Sequence, residues 1–209
     1  MTATGLDVLV HPAFLTGVEC AALRAEMDRA PRLEGSVREA EDPGAESIDR
    51  TGRSASECEV SDGTHRLVGE RICRVTPEVE RYFDQDLGQY EAPHFVAYEP
   101  GDFYRPHRDL YRDVALPEPL VRRRLSMVVF LNDPSDRPDP GPDDLSHYEG
   151  GVLRLCSHEA DEFESRSAWD VPAERGSVVV FRADTWHEVT PVTKGRRYTI
   201  VVMLLAPVR

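Results

Sequence analysis

A mainly β fold, a barrel or sandwich with helices packed outside it, is what this 209-residue sequence predicts, on three observations. From Pro93 onward, short runs of β-branched and aromatic residues alternate with clusters of turn residues. Before Pro93, apolar residues recur at helical spacing in two places. No internal repeat or heptad seam points to a solenoid or coiled coil.

Taken in order, Val8 to Val10 and then Pro12-Ala13-Phe14-Leu15 are apolar and strand-like. Thr16 and Glu19 form a capping box, and Cys20, Leu23 and Met27 follow at helical spacing, so a helix is expected from Gly17 to Ala30. Arg32 to Gly63 has few large apolar residues and suits a long mobile or partly ordered loop. Leu67, Val68, Ile72 and Val75 mark a second helical face. Thr76-Pro77 then looks like a restart, N-cap and first-turn proline, of a further helix carrying Val79, Tyr82 and Phe83. Strands are expected at Phe95 to Tyr98, Leu125 to Leu131, Val152 to Leu155, Ser177 to Phe181 and Arg197 to Leu205. Asp133 to Gly150, packed with Pro, Asp and Gly, suits a surface loop in which no strand persists. The length suits a single domain over 1–209, with 1–90 as helical support layer and mobile loop and 91–209 as the β core carrying the site.

A formal charge of −13 repels phosphate backbones and anionic lipid, so neither a nucleic acid nor a membrane is an expected partner. Met1 to Val10 lacks a signal-peptide pattern, and no apolar run is long enough to span a bilayer; a cytoplasmic location is the expectation. Cys20, Cys58, Cys73 and Cys156 are scattered without a Cys-x-x-Cys pair and are expected as free thiols. The sequence assigns no oligomeric state.

Chemistry concentrates in two segments, Tyr98 to Asp109 and Trp186 to Arg197. In extended chain, His107 and Asp109 project from one face, since strand residues two apart point the same way. A distant His187 would complete two imidazoles and one carboxylate, the facial triad that leaves three adjacent positions open on Fe(II). Two of these suit the C1 carboxylate and C2 ketone of 2-oxoglutarate, and the third suits O₂. An arginine ten positions after His187 could fork onto the C5 carboxylate. Arg196 and Arg197 point to opposite faces, so one of them enters the barrel. On residues alone, His107-x-Asp109 as two surface polar groups and a solvated strand-start arginine stay open.

The two segments together resemble the prolyl 4-hydroxylase branch of the Fe(II)/2-oxoglutarate dioxygenase superfamily. The proximal pattern is met by Tyr98, Gly101, Tyr104, His107 and Asp109, the distal one by His187, Val189, Pro191, Val192, Gly195 and Arg197. Leu131-Asn132-Asp133 and Gly150-Gly151 sit where such enzymes carry a strand end and a tight turn. The resemblance implies a double-stranded β-helix (jelly roll, cupin-like), with iron on His107, Asp109 and His187. It also implies Arg197 as the C5 carboxylate anchor, Tyr98 as a hydrogen-bonding partner of the cosubstrate, and Tyr104 at the pocket wall. Arg123 lies where the family often has a substrate-facing arginine. The implied activity hydroxylates an unactivated C–H bond of a small molecule, amino acid or peptidyl residue. It consumes O₂ and 2-oxoglutarate, releases succinate and CO₂, and uses ascorbate to keep iron reduced. Desaturation, cyclisation and epoxidation belong to the same class. Arg197 stands where many prolyl hydroxylases carry Lys, and no added peptide-binding domain is visible, which weighs against prolyl-peptide substrates. Asp109 fills the position that related halogenases leave to a small residue, so halogenation is not expected.

Two rivals are carried: a metal-dependent cupin-type enzyme that does not use 2-oxoglutarate, and a non-catalytic binding or sensing module on the same fold. His94 has no paired carboxylate at suitable spacing, His147 and His158 belong to loop or strand ends, and these three, like His11 and His65, are expected as solvated or hydrogen-bonded histidines. Asp133 to Asp144 lacks the alternating oxygens and closing Glu of a calcium loop. It and Arg32 to Gly63 are candidate lids.

Overall fold

The strand Arg197–Leu205 has no polar side, and eight of its nine residues are buried, so its alternation has to serve two apolar interiors. Tyr198, Ile200, Val202 and Leu204 join one cluster with Leu23, Met27, Val68, Ile72, Val75 and Val79 of the helices. Val201 packs in the other with Val96, Tyr98, Val128, Phe130, Val179 and Phe181, facing Leu153, Leu155 and Val189 across the interior. The computed structural model describes residues 6–35, 37–38, 46–47, 49–111, 115–134, 147–156 and 167–208.

The strand lies in the middle of an eight-stranded antiparallel sheet. The order is Val8–His11, Val178–Arg182, Arg123–Phe130, Arg197–Leu205, His94–Tyr98, Ser56–Cys58 and Arg32–Glu34, with Gln89–Tyr90 also paired to Arg197–Leu205. A five-stranded antiparallel sheet covers the inner face, in the order Ala168–Asp170, Leu153–Cys156, Trp186–Val189, Phe103–His107 and Arg53–Ser54. Two such sheets enclosing an apolar interior, with helices behind the larger, form a double-stranded β-helix.

Helix α1, Gly17–Arg29, starts at the expected capping box: Glu19 N donates to Thr16 Oγ1 at 3.2 Å and Thr16 N to Glu19 Oε2 at 2.7 Å. Helix α2 is continuous over Asp62–Phe83, so the expected restart at Thr76-Pro77 does not occur. Thr76 is no N-cap; its hydroxyl donates back to Ile72 O at 2.8 Å, as mid-helix threonines do. Thr64, Val68, Ile72, Val75, Val79 and Phe83 form one unbroken buried face, and that packing outweighs the hydrogen bond Pro77 cannot make.

Two loop expectations need correction. Arg32–Glu34 and Ser56–Cys58 pair with each other and extend the larger sheet, while Arg53–Ser54 extends the smaller one. These strands are short and charged, with no apolar alternation, so only an existing sheet edge makes them strands. Likewise Asp133–Pro134 and His147–Gly150 form a small sheet with Val192–Gly195. The rest of both candidate lids, 36, 39–45, 48 and 135–146, lies outside the described residues. All four cysteines are free thiols, Cys20, Cys58 and Cys156 buried and Cys73 exposed. No described helix is long and apolar enough to cross a membrane.

Pro77 is exposed inside α2 and leaves one helical carbonyl without its amide. Pro77→Ala should therefore stabilise the protein by up to ~3 kcal/mol. Equilibrium urea unfolding measures the gain, and an unchanged or lower midpoint would contradict it.

Candidate metal centre

Phe103–His107 and Trp186–Val189 are antiparallel neighbours in the smaller sheet, and their register sets His107 opposite His187. The ring centroids are 4.1 Å apart. Asp109 is not in the strand, which ends at His107. The chain bends there, and the amides of Asp109 and Leu110 both donate to Ala183 O, at 2.9 and 2.8 Å. That shared carbonyl, not strand alternation, returns the carboxylate to the face of His107. Asp109 Oδ1 lies 3.9 Å from His107 Nε2, and Oδ2 lies 3.5 Å from His187 Nε2. Ligand atoms of the three residues lie within 4.8 Å of one another, the only such cluster of His, Cys, Asp or Glu among the described residues.

Each imidazole is held by the carbonyl two residues before it: His107 Nδ1 lies 2.8 Å from Arg105 O and His187 Nδ1 2.9 Å from Thr185 O. A carbonyl only accepts, so each Nδ1 carries a proton and each Nε2 points toward the cluster, where the neutral ring presents a lone pair. Burial, with His187 adding to it, pushes the His107 pKa down to about 3, so this imidazole is neutral well below pH 7. Burial would raise Asp109, but His187, His107, Arg123 and a hydrogen bond from Ser126 outweigh it and hold the carboxyl below its ordinary value. Two imidazoles and a carboxylate in this state fit a divalent first-row metal, with carbonyl partners fixing the ring orientations.

Behind Asp109, the structure corrects the expected role of Arg123. Its side chain is buried, with Nε and Nη2 donating to the two oxygens of Glu91 at 2.7 and 2.5 Å, and Nη1 to Asp109 O at 3.0 Å. A guanidinium engaged in this way braces the backbone of Asp109 and has its charge met by Glu91. Ser126, on the same strand, donates to Asp109 Oδ2 at 2.5 Å. Sequence reasoning passed over Ser126, though a signal existed: it is the polar member of an inward-facing series with Val128 and Phe130. Glu91 gave no comparable signal.

Arg197, at 1% exposure, is among the largest fully buried side chains. Its guanidinium stands over the rings of Tyr98 and Phe130, 5.0 and 5.7 Å from their centroids. Nη1 reaches Thr199 Oγ1 at 3.4 Å and the guanidinium acts on the buried Tyr148 phenol, while Nε and Nη2 make no geometrically formed hydrogen bond to protein. Gly151, at φ +57°, makes room for it, since a Cβ there would lie 2.8 Å from Arg197 Cδ. Arg196 turns the other way, to Glu99 at 2.9 Å and to Asp28. Tyr98 is opposite Arg197 in register, on the inner face. Tyr104 stacks on His107, centroids 3.5 Å apart and planes 17° apart, and Arg53 covers its ring at 5.0 Å.

The other histidines lie apart. His94 pairs with Glu57 at 3.0 Å, His11 with Glu78 at 3.5 Å, and His65 packs edge-on against Phe95. His147 is in the small sheet, and His158 lies outside the described residues.

Residues 93–204 match the family model of the 2OG-Fe(II) oxygenase superfamily. A PKHD-type hydroxylase of Phenylobacterium zucineum (strain HLK1) is 30% identical over 193 residues, covering 91% of this chain and 74% of that protein. A PKHD-type hydroxylase of Synechococcus sp. (strain JA-2-3B'a(2-13)) is 32% identical over 114 residues, 54% of this chain; the match spans only 42% of that relative. The crystal structure of a Pseudomonas putida prolyl-4-hydroxylase superposes with a TM-score of 0.64 at 22% identity, covering 97% of this chain and 94% of the other. At that identity the likeness concerns the fold.

The depressed His107 and Asp109 pKa values fix a sign for the metal-free protein. The unfolded chain takes up the His107 proton near pH 6.5, whereas the folded chain resists it until about 3. Stability is then full above about pH 6.5 and falls as pH drops toward 3, with Asp109 acting in the same direction at the acid end. Urea unfolding of metal-free protein across this window should show the fall, and His107→Asn should flatten it. An equally steep fall in the variant would refute the assignment.

Proposed function

Because the chain belongs to the 2OG-Fe(II) oxygenase superfamily, we propose that it is an Fe(II)- and 2-oxoglutarate-dependent hydroxylase. Its proposed reaction inserts one oxygen into an unactivated C–H bond of a small-molecule or peptidyl substrate and releases succinate and CO₂. In this reading His107, Asp109 and His187 hold the iron, and Arg197 anchors the C5 carboxylate of 2-oxoglutarate. Iron, 2-oxoglutarate and O₂ supply the oxidising chemistry when bound.

The observation that carries the cosubstrate assignment is the pair of unpartnered N–H groups on fully buried Arg197. Leaving a buried donor unmade costs about 1–3 kcal/mol, and more for a charged group. A carboxylate reaching that fork would satisfy both donors and the charge at once. This weighs against a cupin-type enzyme without 2-oxoglutarate, which has no use for such a cation.

The protein's own contribution is orientation and exclusion of water. The Nδ1–carbonyl bonds of His107 and His187 fix which ring nitrogen faces the metal. Tyr98 lies beneath the anchor, where its ring packs against the guanidinium and its phenol is a candidate partner for the cosubstrate. Tyr104, stacked on His107, walls the pocket on the side of Arg53. Apolar Val128, Phe130, Leu155, Phe181 and Val189 line the same interior, and a low-dielectric lining strengthens each charged contact made there.

The decisive experiment has two stages. The first is anaerobic binding of Fe(II) and 2-oxoglutarate; the second is an aerobic mass-spectrometric screen, with ascorbate present, for substrates that gain one oxygen with matched succinate release. Iron-loaded protein that turns over no 2-oxoglutarate with any compound would count against the assignment. Arg197→Ala should weaken 2-oxoglutarate binding by roughly ten- to a hundredfold, the worth of a charge-assisted hydrogen-bond pair. Equal binding by the variant would transfer support to the cupin-type rival.

A further inference from the structure

The hydroxyl of Ser126 bears on how many coordination positions the proposed iron keeps open. The residue is fully buried in the strand Arg123–Phe130, on the side facing the smaller sheet with Val128 and Phe130. A buried hydroxyl among apolar side chains is costly unless it is hydrogen-bonded. Its carboxylate contact is Asp109 Oδ2 at 2.5 Å, with Met203 Sδ a weaker neighbour at 3.6 Å.

The backbone of Asp109 is fixed on both sides of its side chain. Its amide donates to Ala183 O at 2.9 Å, and its carbonyl accepts from Arg123 Nη1 at 3.0 Å, Arg123 itself being clamped by both oxygens of Glu91. What remains free is rotation about the two side-chain bonds, and the Ser126 bond restrains where Oδ2 can lie.

Carboxylates bind metals through one oxygen or through both. With both engaged, two imidazoles and a chelating Asp109 would fill four of six octahedral positions. The two-point attachment of 2-oxoglutarate would then take the last pair and leave none for O₂. With one oxygen engaged, three positions stay open. We propose that Ser126 is a positioning residue that ties down Asp109 Oδ2, so that Asp109 gives the metal one oxygen and preserves the positions 2-oxoglutarate and O₂ require. The proposal rests on the ligand assignment made above.

The test separates metal and cosubstrate binding from the position left for O₂. Ser126→Ala and the near-isosteric Ser126→Cys remove the strong donor, while Ser126→Thr keeps a hydroxyl. Anaerobic calorimetry with Mn(II) or Fe(II), then with 2-oxoglutarate on the loaded protein, gives both affinities, and melting of metal-free protein reports folding. The expected result is metal affinity retained or tightened in Ser126→Ala and Ser126→Cys. Their 2-oxoglutarate affinity should stay close to the parent's, because two positions remain for it, whereas nitric oxide, titrated as an O₂ stand-in into the anaerobic Fe(II)–2-oxoglutarate protein and read optically, should bind about tenfold more weakly; Ser126→Thr should bind like the parent. Unchanged nitric oxide affinity in both donor-less variants would overturn the proposal. So would parallel loss of metal, cosubstrate and melting temperature, which would make Ser126 a packing residue. Asp109→Ala run alongside distinguishes the premise: if it binds metal like the parent, the ligand assignment fails, whatever Ser126 does.

Discussion

Two histidines facing each other inside an apolar barrel would be a liability unless both were neutral and both had somewhere to place their remaining N–H. The antiparallel pairing that sets His107 opposite His187 creates this problem, and the carbonyls of Arg105 and Thr185 solve it twice in the same way. Each carbonyl belongs to the histidine's own segment, so the tautomer is fixed as soon as the local backbone forms. The lone pairs then converge without help from distant groups. Everything else at the centre is arranged around that pair: Asp109 is bent back toward it by Ala183, Tyr104 stacks on one ring, and Phe181 packs at 5.0 Å against the other.

The larger sheet supplies the stiffness this requires. Its central strands are buried on both faces, so a one-residue slip would exchange the helix-facing and barrel-facing sets. For Arg197–Leu205 such a slip would carry Arg197 out of the barrel and Tyr198 into it. Asn132 adds a local clamp, donating through Nδ2 to Arg196 O at 2.7 Å and accepting at Oδ1 from Tyr198 N at 3.0 Å, on either side of Arg197. Outside the barrel, Asp28, Arg32, Glu99 and Arg196 form an ion-pair network that ties α1 to the same strand start. Networks of partly shielded pairs hold geometry better than isolated surface pairs do.

Legibility in the sequence followed the strength of local signals. The five long strands, the capped first helix and both site segments were plain because periodicity and spacing encode them directly. Helix α2 was cut in two because Thr76-Pro77 is a strong local start signal, and only the tertiary face from Thr64 to Phe83 outweighs it. The strands Arg32–Glu34, Arg53–Ser54 and Ser56–Cys58 were invisible because they exist by pairing with sheet edges distant in sequence. Arg123 was given a substrate role because its partners, Glu91 and the carbonyl of Asp109, are 32 and 14 residues away and carry no motif. A conserved-looking spacing can thus place a charge correctly and still leave open what the charge touches.

The state of Arg197 links the fold to the selectivity such a site can have. A neutral ligand tail beside it would leave a desolvated guanidinium with unmet donors, the kind of defect that discriminates by much more than a missing methyl group does. The aromatic walls of Tyr98 and Phe130 partly stabilise the cation through their ring faces. They cannot replace two hydrogen bonds, because a ring face has no directed lone pair to offer a planar fork. Register thus buries a cation whose Nε and Nη2 edge makes no protein hydrogen bond, and a terminal carboxylate would meet both its charge and its donors. With Arg197 as the proposed anchor, selectivity for a dicarboxylate cosubstrate would follow from where register puts Arg197, before any contact with the reacting substrate is made.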